Sequence, residues 1–195
     1  MSKNNGFTLI ELLLAVAIVG LTAAIAVPNS QSLRRRAAVR AASAELRAIF
    51  RATRSRAISR GSHAGVKFTR AGTGWQYAIY DDGDGDGIRN DDIASGIDRR
   101  VTEPRYACSA PQLASISLLP SVARDPDGDP ILRGASPVQF NRSTICSFSP
   151  LGQSTPGTIY LADAADQAYA IRVLGGTGRV RLLRYDAKRR RWEDK

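Results

Sequence analysis

The sequence predicts an α+β fold: a long N-terminal, membrane-spanning helix whose outer half packs on an antiparallel β-sheet head. Three observations carry this. The run FTLIELLLAVAIVGLTAAIAV fills Phe7–Val27, 21 residues with Glu11 as its single charge. An Ala- and Arg-rich stretch follows as far as Gly61, with apolar residues at helical spacing. From His63 onward the apolar residues recur every second position, in short runs separated by Gly, Pro and Asp.

The first element follows from length. A helix rises about 1.5 Å per residue, so the apolar run spans roughly 30 Å, the thickness of a bilayer core. A secretory signal would be shorter and end at a small-residue cleavage site; here Pro28-Asn29-Ser30 follows. A carboxylate inside such a run is costly, so Glu11 needs a partner or a function. Pro28 lacks a donor and predicts a kink.

The second element reads SLRRRAAVRAASAELRAIFRATRSRAISRG. Ala38, Ala42, Leu46, Ile49, Phe50, Thr53 and Ala57 form one largely apolar stripe, which predicts burial against a sheet. Arginines at 34–36, 40, 47, 51, 54, 56 and 60 crowd the other faces, and Gly61 ends the helix. In the head, AGVKFTR and WQYAIYD predict two strands around Ala71–Gly74. VQF at 138–140 and ICSF at 145–148 add short strands. GTIYLAD, AYAIRVLG and GRVRLLRYD close the chain as three successive strands. Region 98–135, with the breakers RDPDGDP at 124–130, predicts loop.

Composition narrows the function classes. The 195 residues suit one globular domain plus a long helix. With 28 basic and 18 acidic residues the net charge is +10. One histidine, His63, excludes Cys/His metal clusters. There is no P-loop, dinucleotide fingerprint or zinc-protease motif, so the sequence predicts no enzyme.

Gly6 followed by Phe7-Thr8-Leu9-Ile10-Glu11 and an apolar helix resembles the prepilin signature of type IV pilins and type II secretion pseudopilins. The resemblance implies a cleaved leader at 1–6, with cutting between Gly6 and Phe7 and methylation of Phe7. It implies a transmembrane helix at 7–28, an amphipathic outer half at 29–61 and a head with a basic tail at 62–195. Glu11 is the implied assembly residue, meeting the amino terminus of a neighbouring subunit. Lys3 alone precedes the apolar run and Arg34–Arg36 follow it, which by charge counting would put those arginines inside. The resemblance puts them outside. The expected placement is single-pass in the inner membrane, with the head in the periplasm and the tip of a pilus or pseudopilus as its station. In that compartment Cys108 and Cys146 are expected to form a disulfide, with two unpaired buried thiols as the other reading.

The long helix, the early hairpin ending in an Asp-rich turn and a late strand opening with GRVR are similar to the GspH/FimT class. That class implies a structural minor subunit of a type II secretion pseudopilus or a type IV pilus. The expected partners are a prepilin peptidase/N-methylase, other minor and major pilins or pseudopilins, and inner-membrane lipid. In the natural-transformation member a Gly-Arg-x-Arg motif is implicated in DNA capture. Gly178, Arg179, Val180 and Arg181 match it, so a minor pilin binding DNA non-specifically is the alternative function.

Two further patterns bear on ligands. From Arg172 onward nine basic residues stand against three acidic ones. Arg179 and Arg181, then Arg189, Arg190 and Arg191 beside Trp192, form a candidate DNA face in which arginines meet phosphates and the indole stacks on a base. The other reading is a solubilising surface. In DDGDGDGIRNDD, Asp82, Asp84, Asp86, Asn90 and Asp91 are candidate calcium ligands at near calcium-loop spacing, although Ile93 stands where a bidentate Glu is expected. A solvated tight turn is the competing reading. No other cofactor is implied.

Overall fold

The computed structural model describes residues 8–132, 134–165 and 167–195, the side chains of 23–30 excepted. Helix α1 runs Leu9–Arg60, 52 residues, and continues through Pro28. Thr8 caps its N-terminus, and Gly61 ends it with φ of 64°, the left-handed conformation glycine adopts without Cβ strain.

Twelve short elements follow: β1 (Ala64–Ala71), β2 (Gly74–Asp81), α2 (Asn90–Ser95), β3 (Arg99–Arg100), β4 (Arg105–Tyr106), β5 (Ala114–Ile116), β6 (Val138–Phe140), β7 (Ile145–Phe148), β8 (Gly157–Asp163), β9 (Ala168–Val173), β10 (Val180–Asp186) and β11 (Arg191–Asp194). They build two sheets. One has the order β3-β2-β1-β7, with β4 also on β2; the other has the order β11-β10-β9-β8-β5, with β6 also on β8. The pairings are antiparallel. This is the α+β architecture of a helix laid on an antiparallel head.

The helix stripe explains how the layers adhere. Val39, Ala42, Ser43, Leu46, Ile49, Phe50, Thr53 and Ala57 are buried. The hydroxyls of Ser43 and Thr53 donate to the carbonyls of Val39 and Ile49, so burial leaves neither unsatisfied. Phe50 sits at the junction of the sheets. Its ring lies 6.1 Å from Phe68 of β1, 6.0 Å from Phe140 of β6 and 6.3 Å from Phe148 of β7. Full burial of such a side chain contributes about 2–3 kcal/mol.

Strand β8 is buried at every residue because both of its faces are covered. Ile159 and Leu161 face the α1 core. Tyr160 faces outward beneath Leu118 and Ile131 of the long loop, beside Trp192. Region 98–135 is therefore partly a third layer, and it contributes β3, β4 and β5 where loop was expected.

Two expectations are corrected. Among the described residues no helix is long and apolar enough to cross a membrane. This overturns the transmembrane assignment of 7–28 and the inner-membrane placement drawn from it. Nor is there a disulfide: Cys108 and Cys146 are both free. Each serves as a small apolar core residue. Burial, then the nearby Glu45 charge, pushes the Cys108 thiol up to about 11, and burial alone pushes Cys146 up. Burial thus disfavours the thiolate at both positions.

Candidate functional site

Three places carry the residues singled out by sequence. The first is the start of α1; Gly6 and Phe7 lie outside the described residues. Glu11 forms a capping box with Thr8. The Thr8 backbone N–H and hydroxyl donate to its Oε2 at 2.9 and 2.8 Å, and the Glu11 N–H donates back to the Thr8 hydroxyl at 3.4 Å. Within one chain the carboxylate thus satisfies the open donors of the first helical turn and complements the helix dipole. Beyond it, Leu9, Ile10, Leu12, Leu13, Leu14, Val16, Ile18, Val19 and Leu21 are all at least 55% exposed.

The second place is the acidic turn after β2. Asp82, Asp84 and Asp86 bring carboxylate oxygens within 4.8 Å of one another, a group that could hold one metal ion. Asp91 is not part of that group, and Asn90 and Asp91 open α2. Asp82 is the organiser. Its side chain is buried, and it accepts from the backbone N–H groups of Asp84, Gly85 and Gly87 at 3.1, 2.8 and 3.1 Å. His63 Nδ1 lies 3.1 Å away. Burial raises the Asp82 carboxyl, but these three donors and His63 outweigh it and hold it below the usual range. Asp86 pairs with Arg89. Buried Asp98, which sequence reasoning missed, closes the base by accepting from the N–H groups of Gly83 and Arg89 at 3.3 and 3.0 Å. Arg56 docks the whole turn on α1, its Nε and Nη2 each 2.6 Å from the Asp81 carboxylate, with Arg60 at 3.5 Å. The Arg56 hydrogen bond holds the Asp81 carboxyl low.

The third place is the C-terminal sheet edge. The tail expected to be a loose basic face is strand β11, paired with β10. Arg181 bonds Asp194 at 2.7 Å, and Arg189 and Arg191 each lie 3.3 Å from Glu193. Trp192 packs 5.1 Å from Tyr185 and 6.0 Å from Tyr160, and its indole N–H donates to the Arg124 carbonyl at 2.9 Å. Trp192 is partly buried by these contacts. Arg179 and Arg190 remain exposed. Gly178 has a packing role: with φ of +61°, a Cβ there would lie 2.6 Å from the Gly152 carbonyl and 2.9 Å from Arg54 Nε. The turn closes as the Gly178 N–H donates to Leu174 at 2.8 Å.

The chain thus presents a capped helix with an exposed apolar start, set on an antiparallel head. Residues 1–27 match the prokaryotic N-terminal methylation motif, and residues 42–178 match the type II transport protein GspH family. The chain belongs to the GspH family of pilin-like, non-catalytic proteins. It is 45% identical over 53 residues to the type IV major pilin protein PilA of Myxococcus xanthus (strain DK1622), 27% of this chain and 24% of that protein. It is 40% identical over 89 residues to a fimbrial protein of Pseudomonas aeruginosa, 44% of this chain and 57% of that one. The chain thus spans between a quarter and just over half of these relatives. No solved structure matches it.

Proposed function

We propose that this chain is a minor structural subunit of a type II secretion pseudopilus or a type IV pilus, assembling through α1. The observation that carries the reading is the exposed apolar start of the helix, from Leu9 at 77% to Leu21 at 66%. A helix that is apolar all round is buried in the working state. The helices of neighbouring subunits are the cover this reading supplies.

On this reading a prepilin peptidase/N-methylase cuts after Gly6 and methylates Phe7. Other pilins or pseudopilins are then the assembly partners. Glu11 exchanges part of its Thr8 cap for the amino terminus of a neighbour. The test compares Glu11→Gln with Glu11→Ala in co-purification with filament components. Glutamine keeps an acceptor for the Thr8 donors but no charge. Both variants should be processed to Phe7, as read by mass spectrometry, and both should incorporate poorly. Normal incorporation of Glu11→Gln would assign Glu11 to capping alone.

The DNA-binding alternative has less support. Arg181 is held by Asp194, Arg189 and Arg191 by Glu193, and Trp192 by its aromatic neighbours. Exposed ion pairs are weak and could reopen for a phosphate. Binding of a labelled duplex by wild type but not by Arg179→Ala/Arg181→Ala would restore it. Calcium on Asp82, Asp84 and Asp86 has as its support only their closeness, since the turn is already organised by backbone donors.

A further inference from the structure

One charged patch is left unused by the assembly reading. Arg47, Arg51 and Arg54 recur at i, i+4 and i+7, so they line one stripe of α1, about 10 Å long. Arg179, from the turn between β9 and β10, joins them across a cleft of about 560 Å³. Arg54 is fixed there by its Nε, which donates to the Gly152 carbonyl at 2.9 Å. Among the described residues no carboxylate lies within 4 Å of these four guanidinium groups. Arg56, Arg89, Arg100, Arg172, Arg181 and Arg191 each have one. Four like charges around one cleft repel and draw an anionic occupant.

The lining indicates what kind. Ile58, 48% exposed, and Val180 give the cleft an apolar wall. Arginines spread along a helix beside apolar atoms suit the acidic surface of a folded polypeptide.

The chain itself carries the complement. Asp84, Asp86 and Asp91 are exposed on the acidic turn, with Asp92 beside them. Partial desolvation and then their mutual repulsion keep the Asp86 and Asp92 carboxyls above the usual range, Arg89 opposing this. The turn sits at the C-terminal end of α1, because Asp81 is bound by Arg56 and Arg60. The helix residues lining the cleft run from Arg47 to Ile58, whereas Arg56, which holds the turn, lies two positions beyond Arg54 and so about 200° round the helix from it. Acidic end and basic flank are thus separate surfaces of one molecule.

We infer that the Arg47–Arg51–Arg54–Arg179 cleft receives the Asp84–Asp92 turn of a second copy of this chain. The inference rests on the assembly reading and adds a head-to-head contact to it. Such a contact is heterologous: the end of one copy meets the flank of another.

The test uses full-length protein and charge reversal. Arg51→Glu/Arg179→Glu and Asp84→Arg/Asp91→Arg each change only exposed residues. In sedimentation at low salt, each variant alone should self-associate about tenfold more weakly than wild type. An equimolar mixture should regain association, because the reversed cleft meets the reversed turn. The effect should vanish near roughly 0.5 M salt. Circular dichroism confirms that each variant is folded. Self-association unchanged in both variants overturns the inference, as does a mixture that fails to recover. Glu11→Gln separates the two readings: if it loses association while the reversals do not, assembly through α1 stands and the cleft contact falls. If Arg51→Glu/Arg179→Glu loses duplex DNA binding but self-associates normally, the cleft is a nucleic-acid face and the inference is overturned.

Discussion

Gly178 opens the Gly-Arg-x-Arg motif, and replacing it with alanine should destabilise the head by about 3 kcal/mol. Two contributions make up that figure. A non-glycine residue held at φ of +61° costs about 1–2 kcal/mol. The added methyl would meet the Gly152 carbonyl at 2.6 Å and Arg54 Nε at 2.9 Å, distances that force one of them to move. Moving either breaks the part-buried Arg54–Gly152 hydrogen bond, worth about 1.5 kcal/mol for a charged donor. For a chain of this size each kcal/mol shifts the melting temperature by about 2–4 °C, so Gly178→Ala should melt about 6–12 °C early. Thermal unfolding followed by circular dichroism measures this, with exposed Arg179→Ala as the control, expected within about 0.5 kcal/mol of wild type. Should Gly178→Ala also fall within about 0.5 kcal/mol, the turn is adaptable and the packing account of Gly178 is wrong. The distinction matters for function, because a Gly178 variant that loses activity by unfolding would imitate loss of a ligand contact.

Phe50→Ala removes the ring shared by both sheets and should cost about 3–5 kcal/mol in urea unfolding; a loss below about 1 kcal/mol would deny Phe50 its central place. Asp81→Asn should cost about 1–3 kcal/mol at neutral pH, since it leaves Arg56 without its bidentate partner. The folded Asp81 carboxyl is held low, so its contribution is fully present above the unfolded carboxylate value, about 3.9, and fades as pH falls through the lower folded value. Melting of wild type should therefore change little through this group between pH 7 and 5 and drop below about pH 4, and the drop should be smaller in Asp81→Asn. Added reductant should leave the melting temperature unchanged, because Cys108 and Cys146 are free thiols; a clear fall would reveal a disulfide.

The parts legible in the sequence are those whose signal is local. The alternation in Ala64–Ala71, Gly74–Asp81 and Gly157–Asp186 announced the strands seen there, and the stripe from Ala42 to Ala57 announced the buried face of α1. Strands β3 and β4 were not legible: they are two-residue edges, exposed at both positions, and exist through their pairing with β2. Strand β11 was hidden by its arginines, which read as a tail until Trp192 is seen to oppose Tyr185. In the acidic turn the spacing suggested ligands, and Asp82, Asp84 and Asp86 do lie close enough together to hold one ion, while the backbone donors that Asp82 also serves were not legible. Arg47, Arg51 and Arg54 were visible as a basic stripe; that Arg179 joins them depends on a contact more than a hundred residues away in sequence. The N-terminal motif was legible as a family mark, yet length alone did not make the described helix a membrane span.

The placement of Phe50 between the two sheets has a mechanical consequence. The sheets share no named strand, and α1 touches both along a buried stripe from Val39 to Ala57, about 27 Å of axis. A pull along the helix, as a growing or retracting fibre would exert, loads that whole stripe in shear. Side-chain contacts at Leu46, Ile49, Phe50 and Ala57 then resist together, and no strand is peeled from its neighbour one hydrogen bond at a time. The head is thus attached to its shaft in the direction in which many small contacts yield last.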